Sequence, residues 1–422
     1  MYGEVSDNID IIPEIIVSRL PASTVQEAET MINKIISYER NPDIQNWENK
    51  ILMSGASVDS VLHYENGSVL SDVEYRGDSI YNGYILPYWT GQRVRFYDTN
   101  TDFPQGGAYE LNGDNLQTEL QKGYNFIYMD THGKYDCWEL EKDSSNNPLY
   151  YGCTQANTLH NSGKSIIITS ACYTNGFDQT TSLSKSFMRN PNGGILAYLG
   201  SSRSAWYAKN INYLGASNEI NSTSLKNLFM SENHCLAEAH QQAKVQYVLT
   251  NPTYNHVYRW LHFSLNPLCD PEMPVYLSMP NLFSNVNIHL SNDTLYVSTG
   301  LSDCKITAMS ISDNGQSLYE VHEDVSNAII SNFSIGDGIC ITKPGYIPYI
   351  ADFSDIVYIQ NESFERQKTI WANDVCIGSD VTTSKPNGPV AVENGATTIH
   401  GKNVIIKNDF EVKTGASFEI KR

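Results

Sequence analysis

The chain has 422 residues, with 28 Lys and Arg against 47 Asp and Glu for a formal net charge of −19, and 41% of it is hydrophobic. That length suffices for two or three domains with cores of their own, and that charge leaves no basic footprint with which to replace counterions along nucleic-acid phosphates. No apolar run reaches membrane-spanning length, Met1-Tyr2-Gly3-Glu4 lacks the basic start and apolar segment of a signal peptide, and the eight cysteines show no C-x-x-C spacing for zinc.

In chain order, residues 11–17 read as a buried strand. Pro21-Ala22-Ser23-Thr24 then opens a helix with overlapping capping boxes, Ser23 with Gln26 and Thr24 with Glu27. Val25, Ala28, Ile32, Ile35 and Ile36 give that helix an apolar face, and it ends near Tyr38-Glu39-Arg40-Asn41-Pro42. Strands follow at 50–53, 126–129, 165–169 and 194–199, with helices at 79–89, 181–189 and 235–249. Strands separated by helices predict an α/β domain with a mostly parallel sheet covered on both faces.

After Pro280 the runs shorten to strand-like segments at 287–299, 304–310, 317–322, 328–334 and 338–342, the pattern of a β-sandwich. From about Val357 the chain is β-like again and carries an echo. Asn394-Gly395-Ala396-Thr397-Thr398-Ile399 is answered by Thr414-Gly415-Ala416-Ser417-Phe418-Glu419-Ile420, which suggests stacked β turns in a small all-β module. The expected division is 1–279, 280–356 and 357–422. Cys137 with Cys153, or Cys304 with Cys340, could pair as a disulfide in an exported protein; free thiols fit the sequence equally.

Ligands of a parallel sheet bind at the carboxyl ends of its strands. Two strands end there in reactive side chains, Phe126-Ile127-Tyr128-Met129-Asp130-Thr131-His132-Gly133 and Ile166-Ile167-Ile168-Thr169-Ser170-Ala171-Cys172. A lone cysteine in such a place is more often a small buried hydrophobe, and a lone His-Gly is usually a turn. Together, on parallel neighbours, they form a thiol nucleophile and an imidazole that takes its proton. The N–H groups of Gly133 and Cys172 would then form an oxyanion hole.

Residues 2–278 also resemble the later, larger part of a gingipain-type cysteine peptidase domain, an α/β caspase-like fold of three layers. The resemblance rests on Pro13-Glu14-Ile15-Ile16-Val17-Ser18-Arg19-Leu20-Pro21 with the helix after it, on Thr131-His132-Gly133, on Ala171-Cys172 with Asn175-Gly176, and on Leu268-Cys269-Asp270-Pro271-Glu272-Met273-Pro274-Val275. It implies Cys172 as nucleophile, His132 as general acid/base, Asp59 as the acidic residue assisting the histidine, Trp206 as a wall of the P1 pocket and Asp78 as the partner of a basic P1 side chain. Asp78 would equally serve as an N-cap for the helix after it. The resemblance further implies an immunoglobulin-like sandwich after the catalytic domain, protein or peptide substrates, a secreted or surface location, no required cofactor, and calcium as a structural ion. In such domains more strands and helices precede the point where Met1 stands. Two other functions compete: an inert surface adhesion protein that keeps the peptidase fold, and an acyltransferase ligating peptides on the same dyad.

Overall fold

The computed structural model describes residues 12–42, 49–59, 62–65, 68–98, 111–142, 147–208, 215–231, 234–250, 256–291, 293–311, 317–333 and 337–421. They form two compact units, residues 1–280 and 281–422.

In the first unit, helix α1 (Val25–Arg40) begins at the expected cap. The Thr24 side chain accepts from Glu27 N–H, and Glu27 reaches back to the Thr24 N–H. Its buried face is Met31, Ile35 and Tyr38, whereas Val25, Ile32 and Ile36 are exposed. The expected face is therefore rotated. The segment expected as a buried strand is irregular over its described residues 12–17, and Ile15 and Ile16 are exposed. Ile11 lies outside the described residues.

Next come β1 (Lys50–Gly55), the hairpin β2 (Leu62–Glu65) and β3 (Ser68–Ser71), helix α2 (Asp72–Ile80) running into a π-helical turn Tyr81–Ile85, and β4 (Gln92–Tyr97). Helix α3 (Gly113–Leu120) leads to β5 (Phe126–Asp130) and the meander β6 (His132–Lys134), β7 (Cys137–Lys142) and β8 (Pro148–Gly152). Then follow α4 (Cys153–Asn157), β9 (Ser165–Thr169), α5 (Leu183–Arg189), β10 (Ile195–Ser201), the short β11 (Tyr207–Ala208) and β12 (Gly215–Ala216), α6 (Ser217–Met230), α7 (Leu236–Thr250), α8 (His256–Ser264) and β13 (Leu265–Leu268).

The central sheet has the order β13-β10-β9-β5-β1-β4, and every pairing in it is parallel except β10 with β13. Successive side chains of a strand point to opposite faces, and here both faces are dry. Ile51, Met53, Phe126, Tyr128, Ile166 and Ile168 pack on one side with Val73, Ile80, Leu225, Leu228 and Leu236 of the helices. Leu52, Ile127, Met129 and Ile167 pack on the other with Met31, Leu116, Leu120 and Phe187. That is the expected three-layer α/β arrangement, and it explains why β5 and β9 read as continuous apolar runs.

In the second unit, β14 (Asn287–Ser291), β15 (Thr294–Ser298) and β18 (Asn327–Ser331) form one antiparallel sheet. Asp293, at φ +56°, turns the run 287–299 into a hairpin rather than one strand. Strands β16 (Cys304–Ile311), β17 (Ser317–Val325), β19 (Gly338–Thr342) and the first part of β20 (Tyr349–Ile359) form a second antiparallel array. Leu295, Val297, Ile306, Ile330, Ile341 and Phe353 are buried together. From Phe353 onward β20 changes partner and pairs in parallel with β22 (Lys368–Ile377), which pairs with β24 (Ala396–Ile406), which pairs with β26 (Ser417–Lys421). The short β21 (Glu362–Phe364), β23 (Val390–Val392) and β25 (Phe410–Val412) stack in parallel beside them over a second core. The sequence echo falls on this stack, with Gly395 (φ +74°) and Gly415 (φ +96°) in the turns before β24 and β26. All eight cysteines are free thiols.

Candidate active site

Strands β5 and β9 are neighbours, with Met129 opposite Thr169. His132 and Cys172 each lie three residues beyond that pair, so both leave the sheet at the same edge and level. The two exits approach closely at Gly133: a Cβ added there would stand 2.7 Å from the Cys172 carbonyl oxygen and 2.9 Å from the Ala171 Cβ. Only glycine fits there. Gly133→Ala is therefore expected to cost about 1–3 kcal/mol from overpacking, and about 100-fold in turnover through displacement of the loop. Thermal melts and peptide hydrolysis rates check both numbers.

The Cys172 turn is tightly determined. Tyr173 sits in the left-handed region at φ +63°, an uncommon conformation for a bulky residue that its surroundings must hold. Its N–H donates to the Arg203 carbonyl at 2.9 Å, and the Thr174 N–H donates to the Cys172 carbonyl at 2.8 Å. Asn175, fully buried, donates from Nδ2 to the carbonyls of Gly200 and Asn266. Ala171 is buried and Ser170 hydrogen-bonds Asn218; their small size lets the chain turn at the sheet edge. The Cys172 sulfur is half-buried and accepts from the Ala205 N–H at 3.2 Å. Burial pushes the thiol above its ordinary range, and the Ala205 N–H pulls it partly back.

His132 is exposed, and its Nε2 lies 3.3 Å from the Val58 carbonyl oxygen. A carbonyl only accepts, so Nε2 carries a proton in this contact, and in the neutral ring Nδ1 then keeps its lone pair. The loop bearing Val58 approaches β5 because Gly55 has no side chain; a Cβ there would stand 2.3 Å from the Asp130 carbonyl oxygen. Asp72, at the start of α2 and fully buried, accepts from the N–H groups of Val58 and Asp59, each at 3.2 Å, and lies 2.8 Å from the Ser57 hydroxyl. Arg76 bridges Asp72 at 3.0 Å and Asp130 at 2.6 Å, with all three side chains buried. Burial works against the Arg76 cation, and Asp130 and Asp72 more than offset it, so its pKa rises. None of Asp72, Arg76 and Asp130 was singled out by sequence reasoning, although Asp72 and Arg76 stand at the helical i, i+4 spacing of an ion pair.

Residues 1–276, more than half of the chain, match peptidase family C25. The chain belongs to that family. It is accordingly a cysteine-type peptidase, a hydrolase. The solved structure of the Arg-specific cysteine proteinase gingipain R (RgpB) is similar at 16% identity, over 83% of this chain and 77% of that one, with a TM-score of 0.61. The complex of Porphyromonas gingivalis RgpB pro- and mature domains is similar at 17% identity, over 83% and 80%, with a TM-score of 0.61. A structure described only as a protease is similar at 18% identity, over 82% and 75%, with a TM-score of 0.56. At these identities the three structures speak for the fold. No curated protein is significantly similar.

In this C25 peptidase the remaining expected site residues fall in different places. Asp59 is one residue after Val58, whose carbonyl His132 meets, and its own N–H is held by Asp72. Trp206 follows Ala205, the residue at the Cys172 sulfur; it is 47% exposed and therefore no core residue, and its N–H donates to the Ser217 hydroxyl at 3.0 Å. Asp78 departs from expectation. Helix α2 begins six residues earlier, capped by Ser71, so Asp78 caps nothing. Its carboxylate is paired with Arg93 and Arg95 of the edge strand β4, and a carboxylate already held by two guanidinium groups offers little to a third cation. A second tryptophan, which no sequence motif marks, stands nearby: Trp260, 44% exposed, donates from Nε1 to the Ser204 carbonyl in the loop that carries Ala205 and Trp206.

Proposed function

We propose that this protein is an endopeptidase in which Cys172 attacks the scissile carbonyl and His132 Nδ1 takes the thiol proton. The sulfur–carbon bond forms as the carbonyl π electrons move to oxygen. The tetrahedral oxyanion then collapses, the imidazolium gives its proton to the leaving amine, and a thioester remains. Water, deprotonated by the same ring, hydrolyses the thioester and restores the thiol. Gly133 supports an oxyanion hole. Lys134 and Cys137 close a two-residue hairpin, so Gly133 opposite Trp138 occupies a pair that exchanges no ladder hydrogen bonds, which leaves its N–H available. The observation that carries the reading is the close apposition of Gly133 to the Cys172 turn, with His132 and Cys172 each three residues beyond the paired Met129 and Thr169 of adjoining strands.

Trp206, exposed beside the loop at the sulfur, supports a wall for the residue before the cut. Asp78 has no part in this reading, because Arg93 and Arg95 hold it. A secreted or surface location is extended to the protein on the resemblance alone; among the described residues no helix is long and apolar enough to cross a membrane. Calcium enters only as a structural ion, and no chemical step draws on a cofactor. The match to peptidase family C25 over residues 1–276 favours this reading over an inert interaction protein.

Digestion of a defined peptide mixture followed by mass spectrometry tests the reaction type. Internal cleavage giving complementary fragments that together hold one added water is the expected result. Products longer than the substrates would mean transpeptidation instead, and an unchanged mixture would remove the endopeptidase reading.

A further inference from the structure

The general base of a thiol peptidase must present one ring nitrogen to the sulfur and keep its other N–H occupied, or the imidazole turns and the wrong tautomer faces the thiol. Here the partner of that second nitrogen is the Val58 main-chain carbonyl, and a carbonyl on a loop is only as fixed as the loop itself. The 57–59 loop is fixed from beneath by side chains. Asp72 receives two consecutive N–H groups, of Val58 and Asp59, on its two carboxylate oxygens, and the Ser57 hydroxyl stands 2.8 Å from both Asp72 and the Asp59 carbonyl. Asp98 takes the Ser57 N–H at 2.8 Å and the Ser71 hydroxyl at 3.2 Å. Arg76 ties Asp72 to Asp130, two residues before His132 on the same strand exit. The Tyr207 ring lies 6.0 Å from the Arg76 guanidinium carbon, next along the chain from Trp206.

Building on the reading of His132 as the base, we propose that Asp72 and Arg76 are positioning residues for it: through the 57–59 loop they hold the Val58 carbonyl against His132 Nε2 and so set the ring's tautomer and aim. The place that a carboxylate or amide side chain fills in other triads is filled here by a main-chain oxygen, and the carboxylate acts one step further back. The arrangement accounts for an otherwise costly feature. Three charged side chains are buried under a loop, where apolar residues of the same size would usually be as stable or more so. It also explains why the acidic residue is attached to α2 rather than to the loop. The helix is packed into the sheet through Val73 and Ile80, and a rigid element places a ligand more accurately than a loop does.

The test is the rate of Cys172 alkylation by iodoacetamide between pH 6 and pH 10 in the full chain, with circular dichroism to confirm folding. At pH 7 the His132→Ala variant fixes the rate without a base. Asp72→Asn puts an amide N–H where the loop needs an acceptor, and it is expected to fall about 100-fold below wild type, the cost of a misaimed catalytic group. Ser57→Ala removes a single hydroxyl and is expected to fall about threefold, roughly the cost of one exposed hydrogen bond. Towards pH 10 the thiol ionises without help, so the Asp72→Asn and wild-type rates should converge; an unfolded variant would instead expose its other thiols and take label at several of the eight cysteines, which peptide mapping shows. Ser57→Ala keeps the test open if Asp72→Asn does not fold. Wild-type rates at pH 7 in both folded variants, with His132→Ala slow, would overturn the positioning role and leave the dyad standing. A His132→Ala rate equal to wild type would instead overturn the dyad itself.

Discussion

Cys172→Ala is expected to abolish peptide hydrolysis, a loss on the order of 10⁴-fold or more, because the covalent route disappears with the sulfur. His132→Ala should lose nearly as much at neutral pH, since in the proposed dyad the two act as one unit and their effects do not add. The pH dependence separates them. Burial raises the Cys172 thiol, so without the ring the thiolate is scarce at pH 7 and grows about tenfold per pH unit until the raised pKa is reached. The His132→Ala variant therefore regains reactivity steeply with alkali, whereas Cys172→Ala regains none. Initial rates from pH 6 to pH 10 on an activated ester substrate, whose leaving group needs no proton, check this. A flat profile for His132→Ala would show that the ring does not supply the base.

Arg76→Met should have the largest effect on stability, about 3–5 kcal/mol, because it leaves two buried carboxylates without their cation. Asp72 and Asp130 are each bonded directly to the guanidinium. Burial already raises the Asp130 carboxyl while Arg76 draws it down, and with Arg76 gone the largest opposing influence is removed. A carboxyl whose pKa is higher folded than unfolded binds protons on folding. Its stabilising contribution is thus complete below the unfolded pKa and lost as pH rises through the folded one. The deficit against wild type should accordingly narrow on acidification from pH 7 towards the ordinary carboxylate range. Urea unfolding at several pH values measures it. A deficit constant with pH would mean that lost packing, not unpaired charge, is the cause.

What was legible in the sequence was what periodicity alone decides. Ile166 to Ile168 and Phe126 to Met129 are apolar on both faces because helices cover both, and a strand of that kind reads as an unbroken run. The exits of those strands, and so His132, Gly133 and Cys172, followed from them. Helix α6 is hard to read because the first half of its buried face is mostly polar, Ser217, Asn218, Asn221, Ser222 and Ser224 with Ile220, before Leu225, Leu228 and Phe229 reach the core; Asn218 and Asn221 bond to Ser170 and Thr169. Strand β4 was masked by Gln92, Arg93 and Arg95, which an edge strand carries against Asp78 and Glu74. The opposite error occurred at Ile15 to Val17, where β-branched residues promised a strand but no neighbouring strand pairs with them among the described residues. Helix α2 begins seven residues before the expected residue 79, and its first turns bury Asp72, Glu74 and Arg76. Charges paired inside the fold look like solvated surface until their partners, distant in the chain, are known.

The most direct test of the account is peptide mapping after labelling with an irreversible thiol-reactive peptidyl ketone at neutral pH and limiting concentration. With eight free thiols to choose from, the label should be found on Cys172 alone and should vanish in His132→Ala. Label spread over other cysteines, or a Cys172 that reacts as fast without the imidazole, would contradict it.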